Sequence, residues 1–297
     1  MIFINYYDEI KNELVNNEIT KKVKDYSKNR SDLTTYYNVG KLLSEAGKHY
    51  GEGIIKEYSK RLTNEFETKF GITLLKRIRQ FYIVIEKGAT MSHQLSWSHY
   101  CELLPVNSID KINYYIKITK EQNLSIRELR AKIKNNEYER LDESTKEKLK
   151  EKEELKLPDL VKNPIQIKNT SGNNEISEKV LQKLILEDIP SFLDELGNGF
   201  TFVRNEYKIK IGDRYNYIDL LLFNYEFNCF VVVELKVSEL KKEHIGQIEF
   251  YMNYIDKNLK NINQNKTIGI IICKKENRYV IEYCSDDRIL AREYELI

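Results

Sequence analysis

Tyr217-Ile-Asp-Leu-Leu-Leu-Phe223 and Phe230-Val-Val-Val-Glu-Leu-Lys236 decide the fold of this chain. Both are nearly continuous apolar runs, the pattern of strands buried on both faces, so they predict a sheet covered on each side. Each run is interrupted by charge: Asp219 in the first, Glu234 and Lys236 in the second. Burying an ionised group costs several kcal/mol unless something compensates it, so these three residues need a reason.

Working outward, residues 177–196 read as one amphipathic helix, ended by Gly197 and Gly199. Strands are expected over 200–211, 215–223 and 229–237, the last two joined by a hairpin around Asn224–Asn228. A long helix follows over 238–259, with Ile245, Ile248, Met252, Ile255 and Leu259 at helical spacing. Residues 267–273 and 279–284 supply two further strands. The order αβββαββ predicts an α/β domain around a mixed sheet.

Residues 142–176 read as a joint: a charge-alternating helix end with almost no apolar face, then Pro158, Pro164 and the polar string Asn169–Asn174. Three parts follow: a helical domain over 1–141, the linker over 142–176, and the α/β domain over 177–297. The chain's net charge of +2 hides an asymmetry between them. Residues 1–141 hold 24 Lys and Arg against 18 Asp and Glu, whereas residues 178–297 hold 17 against 20. A basic first part suggests a polyanionic partner.

The first part has helical periodicity. Leu74, Ile78, Phe81, Tyr82 and Ile85 mark one helix face, with Lys76, Arg77 and Arg79 off it. Ser125-Ile-Arg-Glu128 is a capping box that opens a second helix. Arg127, Arg130 and Lys134 form a basic stripe on that helix, and Leu129 and Ile133 supply its buried side. Short helices with basic stripes fit a helix-turn-helix-like DNA reader, although solvated helix faces are often basic too.

The three buried charges have a chemical reading. Strand alternation puts Glu234 and Lys236 on one face, and Asp219 faces Glu234 if the two strands are neighbours. Two converging carboxylates and a lysine suit a hard divalent cation, Mg²⁺ first and Mn²⁺ also. Asp219 and Glu234 would hold the metal with the carbonyl of Leu235. Lys236 would position water and stabilise a pentavalent phosphorus centre. Gln247, with Tyr251 one turn on, would face the strand ends and orient water or touch a phosphate. The competing reading is a structural Glu234–Lys236 salt bridge with Asp219 capping a turn.

The pattern Asp219, Glu234-Leu235-Lys236 and Gln247 resembles the PD-(D/E)XK nuclease superfamily. Longer stretches resemble its YhcG-like members: Phe192–Val203, Gly246–Tyr251 and Ile268–Cys273, with Tyr50-Gly51, Leu75–Tyr82, Leu95–His99 and Leu124–Leu129 in the first part. The resemblance implies a restriction-endonuclease-like αβββαβ core behind a helical amino-terminal domain that binds DNA or a partner. It implies metal-dependent cleavage of DNA in a mobile-element, restriction, defence or repair setting, with partner proteins of such a system. The chain departs from the pattern at Ile218, where the superfamily often has proline, and at Gln182, where a metal-binding glutamate is often found. Glu178 and Glu187 lie near Gln182 in sequence, and Glu206 offers another acid.

The remaining features bound the function. No phosphate-cradling glycine loop is present, so nucleotide hydrolysis is not indicated. Trp97-Ser-His99-Tyr-Cys101 lacks a second ligand pair and reads as a packed Trp with a hydrogen-bonded His. Tyr36, Tyr37, Tyr114 and Tyr115 read as helix packing, and His244 as a solvated helix residue. The start Met1–Asn5 lacks a signal peptide's features, no run approaches a membrane span, and Cys101, Cys229, Cys273 and Cys284 form no C-x-x-C pair. These point to a cytoplasmic protein with reduced thiols and no membrane partner. A homodimer fits, since cutting both strands usually takes two active sites. The rival function is a catalytically silent DNA-binding or assembly protein that keeps the nuclease fold as a scaffold.

Overall fold

The two apolar runs form neighbouring strands of a six-stranded sheet in the computed structural model. The structure describes residues 6–23, 28–51, 53–66, 70–170, 172, 175–283 and 286–297. Met1–Asn5, Cys284 and part of the polar string 169–174 lie outside the described residues. The chain forms two units, Met1–Tyr138 and Glu139–Ile297.

The first unit is helical: α1 (Tyr6–Val23), α2 (Lys28–Tyr50), α3 (Ile54–Glu65), α4 (Ile72–Glu86), α5 (Trp97–Leu103), α6 (Ile109–Glu121) and α7 (Ile126–Lys134). The buried ridge of α4 is Leu75, Ile78, Phe81 and Val84, so the stripe expected from Leu74 to Ile85 is shifted by one residue at each end. Helix α2 crosses α4 closely at Gly40. A Cβ on Gly40 would lie 2.5 Å from the Ile78 carbonyl oxygen and 2.7 Å from Tyr82 Cβ. The Ser125–Glu128 capping box forms as expected, with bonds of 3.3 and 2.7 Å. Trp97 packs on Tyr36 and Phe81, at ring separations of 4.6 and 5.6 Å. His99 is hydrogen-bonded to Ser96 and to the Leu124 carbonyl.

The second unit runs α8 (Glu143–Glu151), α9 (Leu157–Leu160), β1 (Ile165–Ile167), α10 (Glu178–Glu187), α11 (Ile189–Leu196), β2 (Phe200–Ile211), β3 (Arg214–Asn224), β4 (Cys229–Glu239), α12 (Lys242–Asn258), β5 (Ile268–Lys275), α13 (Arg278–Glu282) and β6 (Ile289–Leu296). The sheet order is β1-β6-β5-β4-β3-β2. β2, β3 and β4 are antiparallel neighbours, and β4, β5, β6 and β1 are parallel. Helices α10 and α11 cover one face over Leu220, Leu222, Val231, Val233 and Leu235. Helix α12 covers the other over Ile218, Leu221, Val232 and Ile271. Gly269 admits α12 closely: a Cβ there would sit 2.6 Å from Met252 Sδ.

Three elements differ from expectation. The single helix over 177–196 is two, because Asp188 leaves the helical conformation and caps α11, with Pro190 in its first turn. Residues 278–282 form α13 rather than a strand, capped by Asn277. The final strand is β6 instead. Within the stretch expected as a linker, the chain forms α8, α9 and β1. Buried Arg292 of β6 fastens this stretch, reaching Asp142 at 2.8 Å and the Val161 carbonyl at 3.2 Å. Arg140 pairs with Glu195 and donates to the Pro164 carbonyl at 2.9 Å. Among the described residues, no helix is long and apolar enough to cross a membrane.

Candidate active site

The β3–β4 ladder stops at Leu220↔Val233, one step before Asp219 would pair with Glu234. In place of a backbone bond, the Asp219 carboxylate accepts the Leu235 amide at 2.8 Å. The strands therefore splay where the charges lie. In an extended strand a residue's N–H and C=O share one edge, so the Leu235 carbonyl faces the same gap. On the other side of Asp219 the β2–β3 ladder is interrupted between Asn205↔Leu220 and Tyr207↔Ile218. Glu206 sits in that interruption with φ +45°, which costs a non-glycine residue roughly 1–2 kcal/mol. Gln182 of α10 donates to the Asp219 backbone carbonyl at 3.1 Å, so it braces the aspartate's main chain.

Glu234 is only 1% exposed, and Lys236 Nζ lies 3.3 Å from its Oε2. Its other oxygen, Oε1, is buried without a hydrogen-bond partner. Burial, then the Asp219 charge, push the Glu234 carboxyl up to about 8 despite Lys236. Burial also raises Asp219, opposed by the Leu235 amide and Lys236. One lysine does not compensate two carboxylates here.

Helix α12 faces this pair. Gln247 donates to the Tyr251 hydroxyl at 3.2 Å. Burial raises the Tyr251 phenol, opposed by its hydrogen bond with Gln247, and the charges of Glu234 and Asp219 add to the rise. His244 differs from the solvated residue expected. It is half-buried, its Nδ1 accepts the Lys241 amide at 3.2 Å, and burial and then Lys236 depress its pKa. The structure thus brings Asp219, Glu234, Lys236, Gln247 and Tyr251 together. The bracing role of Gln182 and the strained backbone of Glu206 carry no sequence signal, since both depend on which main-chain groups lie opposite.

The residues fit a hard divalent cation. An orphaned carboxylate oxygen, a second carboxylate and a backbone carbonyl are oxygen donors, and Mg²⁺ commonly takes one or two carboxylates and fills its shell with water and phosphate. Among the described residues no cluster of three or more His, Cys, Asp or Glu side chains offers a fuller protein cage.

The basic residues of the first unit are arranged differently. Lys76, Arg77, Arg127, Arg130 and Lys134 are exposed and Arg79 is half-buried. Arg130 forks onto Glu102 of α5 at 2.9 and 2.7 Å, so its charge is already matched. Glu102 is held below its usual value by Arg130 first, with Arg77 contributing, so residues of α4 and α7 converge on α5.

A mixed sheet with Asp and Glu-x-Lys at the splayed ends of adjacent strands is the architecture of a PDDEXK nuclease domain. Residues 158–297 match the YhcG PDDEXK nuclease domain, and residues 9–140 match the DUF1016 N-terminal domain. The chain thus carries a DUF1016 N-terminal domain followed by a YhcG PDDEXK nuclease domain. It is 26% identical over 330 aligned positions to "Putative nuclease YhcG" of Escherichia coli (strain K12), covering 95% of this chain and 88% of that one. Among solved structures, it aligns with a repair endonuclease from Pyrococcus abyssi at 19% identity and a TM-score of 0.31, over 43% of this chain and 50% of that one. An EndoMS–double-stranded DNA complex aligns at 18% identity and a TM-score of 0.33, over 43% and 49%. The chain spans about half the length of these solved structures.

Proposed function

We propose that this protein is a divalent-metal-dependent deoxyribonuclease, with Mg²⁺ as its metal and Mn²⁺ as a substitute. The observation that carries the reading is the buried, unpartnered Glu234 oxygen beside a second carboxylate, an arrangement that is costly without a cation. Asp219, Glu234 and the Leu235 carbonyl are the ligands. Such an ion, when bound, lowers the pKa of water and neutralises charge on the scissile phosphate. Lys236 holds the attacking water and stabilises charge on the phosphoryl oxygens. Gln247 orients water or a phosphate oxygen from α12, tied to Tyr251. Lys76, Arg77, Arg79, Arg127, Arg130 and Lys134 supply the phosphate-binding surface of the helical unit. The proposed setting is cytoplasmic, in a restriction, mobile-element or repair system, with a homodimer as the form that cuts both strands.

The test is cleavage of supercoiled plasmid, linear duplex, single-stranded and branched DNA with Mg²⁺, Mn²⁺ or EDTA, beside Glu234→Ala. Metal-dependent cutting that the variant lacks supports the reading. DNA binding without cutting of any substrate would replace it with the silent scaffold.

A further inference from the structure

The β2–β3 hairpin extends past the active site and carries an open face of a different character. Tyr207, Ile209, Ile211 and Ile218 pack toward the α12 side of the sheet. By strand alternation the residues between them face the other way. Register places Lys208 opposite Tyr217 and Lys210 opposite Tyr215, so these four side chains share one face. No residue of the core beneath α10 and α11 comes from this part of the hairpin. Tyr215 and Tyr217 are each 52% exposed, and both lysines are exposed. Lys208 Nζ lies 3.7 Å from the centre of the Tyr215 ring, and among the described residues no carboxylate pairs with either lysine. Tyr217 is two residues from Asp219 and Tyr215 four, or about 7 and 13 Å along the strand.

We infer that this face is a stacking platform for single-stranded DNA, which holds an unpaired strand beside the part of β3 that carries Asp219. Two exposed rings on an uncovered sheet face offer π-surfaces that bases can stack on, and the two lysines offer charge to the phosphates between them. A duplex hides its base faces inside the stack, so rings displayed in this way favour an unpaired strand. The inference deepens the nuclease reading and rests on it for the fate of the strand.

The test uses the full-length protein in EDTA, with a fluorescein-labelled oligothymidylate titrated by anisotropy. Tyr215→Ala and Tyr217→Ala are each expected to weaken binding at least about fivefold, with Phe at either position restoring it. Lys208→Ala and Lys210→Ala should each lower the slope of affinity against salt by somewhat under one unit. Oligonucleotides carrying 5-bromodeoxyuridine should photocrosslink to Tyr215 or Tyr217 in mapped peptides. Plasmid cleavage by wild type with Mg²⁺ runs in parallel and separates the two ideas. Cleavage with crosslinks confined to other segments and unchanged binding by the tyrosine variants overturns the platform while the nuclease stands. Tyrosine-dependent binding without cleavage supports the platform and overturns the nuclease. A shift from dimer to monomer in the tyrosine variants, with single-strand affinity per site unchanged, makes the face a contact between copies of the chain and overturns the inference.

Discussion

Replacing Glu234 with glutamine should make the metal-free protein more stable while abolishing its cleavage activity. Glutamine keeps the shape of the side chain and can still accept from Lys236, but it removes a charge at a site that is 1% exposed. In the folded protein burial, and then the Asp219 charge, push the carboxyl up to about 8 from its ordinary 4.5. The folded state therefore binds this proton more tightly than the unfolded chain does. The group leaves stability intact below about 4.5, erodes it as pH rises, and exacts its full cost above about 8. At pH 7 the cost is up to about 3 kcal/mol, which for a unit of this size is several degrees in Tm. Scanning calorimetry in EDTA from pH 5 to pH 8.5 is the assay. Wild type should lose stability across that window and Glu234→Gln should lose much less. Saturating Mg²⁺ should raise the wild-type Tm and leave the variant unmoved. If Glu234→Gln is instead the less stable protein at pH 7 in EDTA, Glu234–Lys236 is a stabilising ion pair and the argument for a cation fails.

Metal binding should release protons near pH 7, because the cation displaces the proton that Glu234 holds. Calorimetric titration in buffers of different ionisation enthalpy will show this as a buffer-dependent heat that Glu234→Gln lacks. In the helical unit, Lys76→Ala should weaken DNA binding and lower its salt slope by about one unit. Arg130→Ala should lower it less, since Glu102 already matches that charge, and salt titrations of both variants decide this. Cys229 and Cys273 are buried, with thiols pushed up to about 11 and about 12. A thiol reagent at pH 8 should leave both unmodified in the native protein and label both in denaturant, as read by peptide mapping.

The parts of the fold that were legible in the sequence are those whose burial is one-dimensional. Strands β3 and β4 are apolar almost without a break, and α12 repeats its apolar residues at helical spacing, so each announces itself. Strand β6 does not, because Ile-Leu-Ala-Arg-Glu-Tyr-Glu-Leu mixes charges into a strand that ends beside β1. Buried Arg292 belongs there only because the Asp142 carboxylate and two main-chain carbonyls from the distant 158–161 stretch reach it. The segment at 278–282 is apolar enough for either strand or helix, and the Asn277 cap is what settles it. The break between α10 and α11, which the single helix read over 177–196 missed, follows from the amide that Pro190 lacks and the Asp188 cap.

The site divides in the same way. Asp219, Glu234 and Lys236 stand out because charge in a buried strand is costly wherever the strand lies. The end of the ladder at Leu220↔Val233, the Leu235 amide turned onto the Asp219 carboxylate, and the Gln182 side chain under the Asp219 carbonyl each depend on which main-chain group lies opposite. Side-chain identity does not encode these pairings. The matching of Arg130 by Glu102 is likewise a contact between α7 and α5 across 28 positions, and a stripe of basic residues on one helix cannot reveal it.

The most direct measurement of the central claim is plasmid and oligonucleotide cleavage by wild type, Asp219→Ala and Glu234→Ala with Mg²⁺, Mn²⁺ or EDTA, run beside DNA binding by the same proteins. The account predicts cutting by wild type with either metal, none in EDTA, and loss of cutting in both variants with binding largely kept. Cutting that persists in EDTA or in Glu234→Ala, or binding that falls in step with cutting, would contradict it.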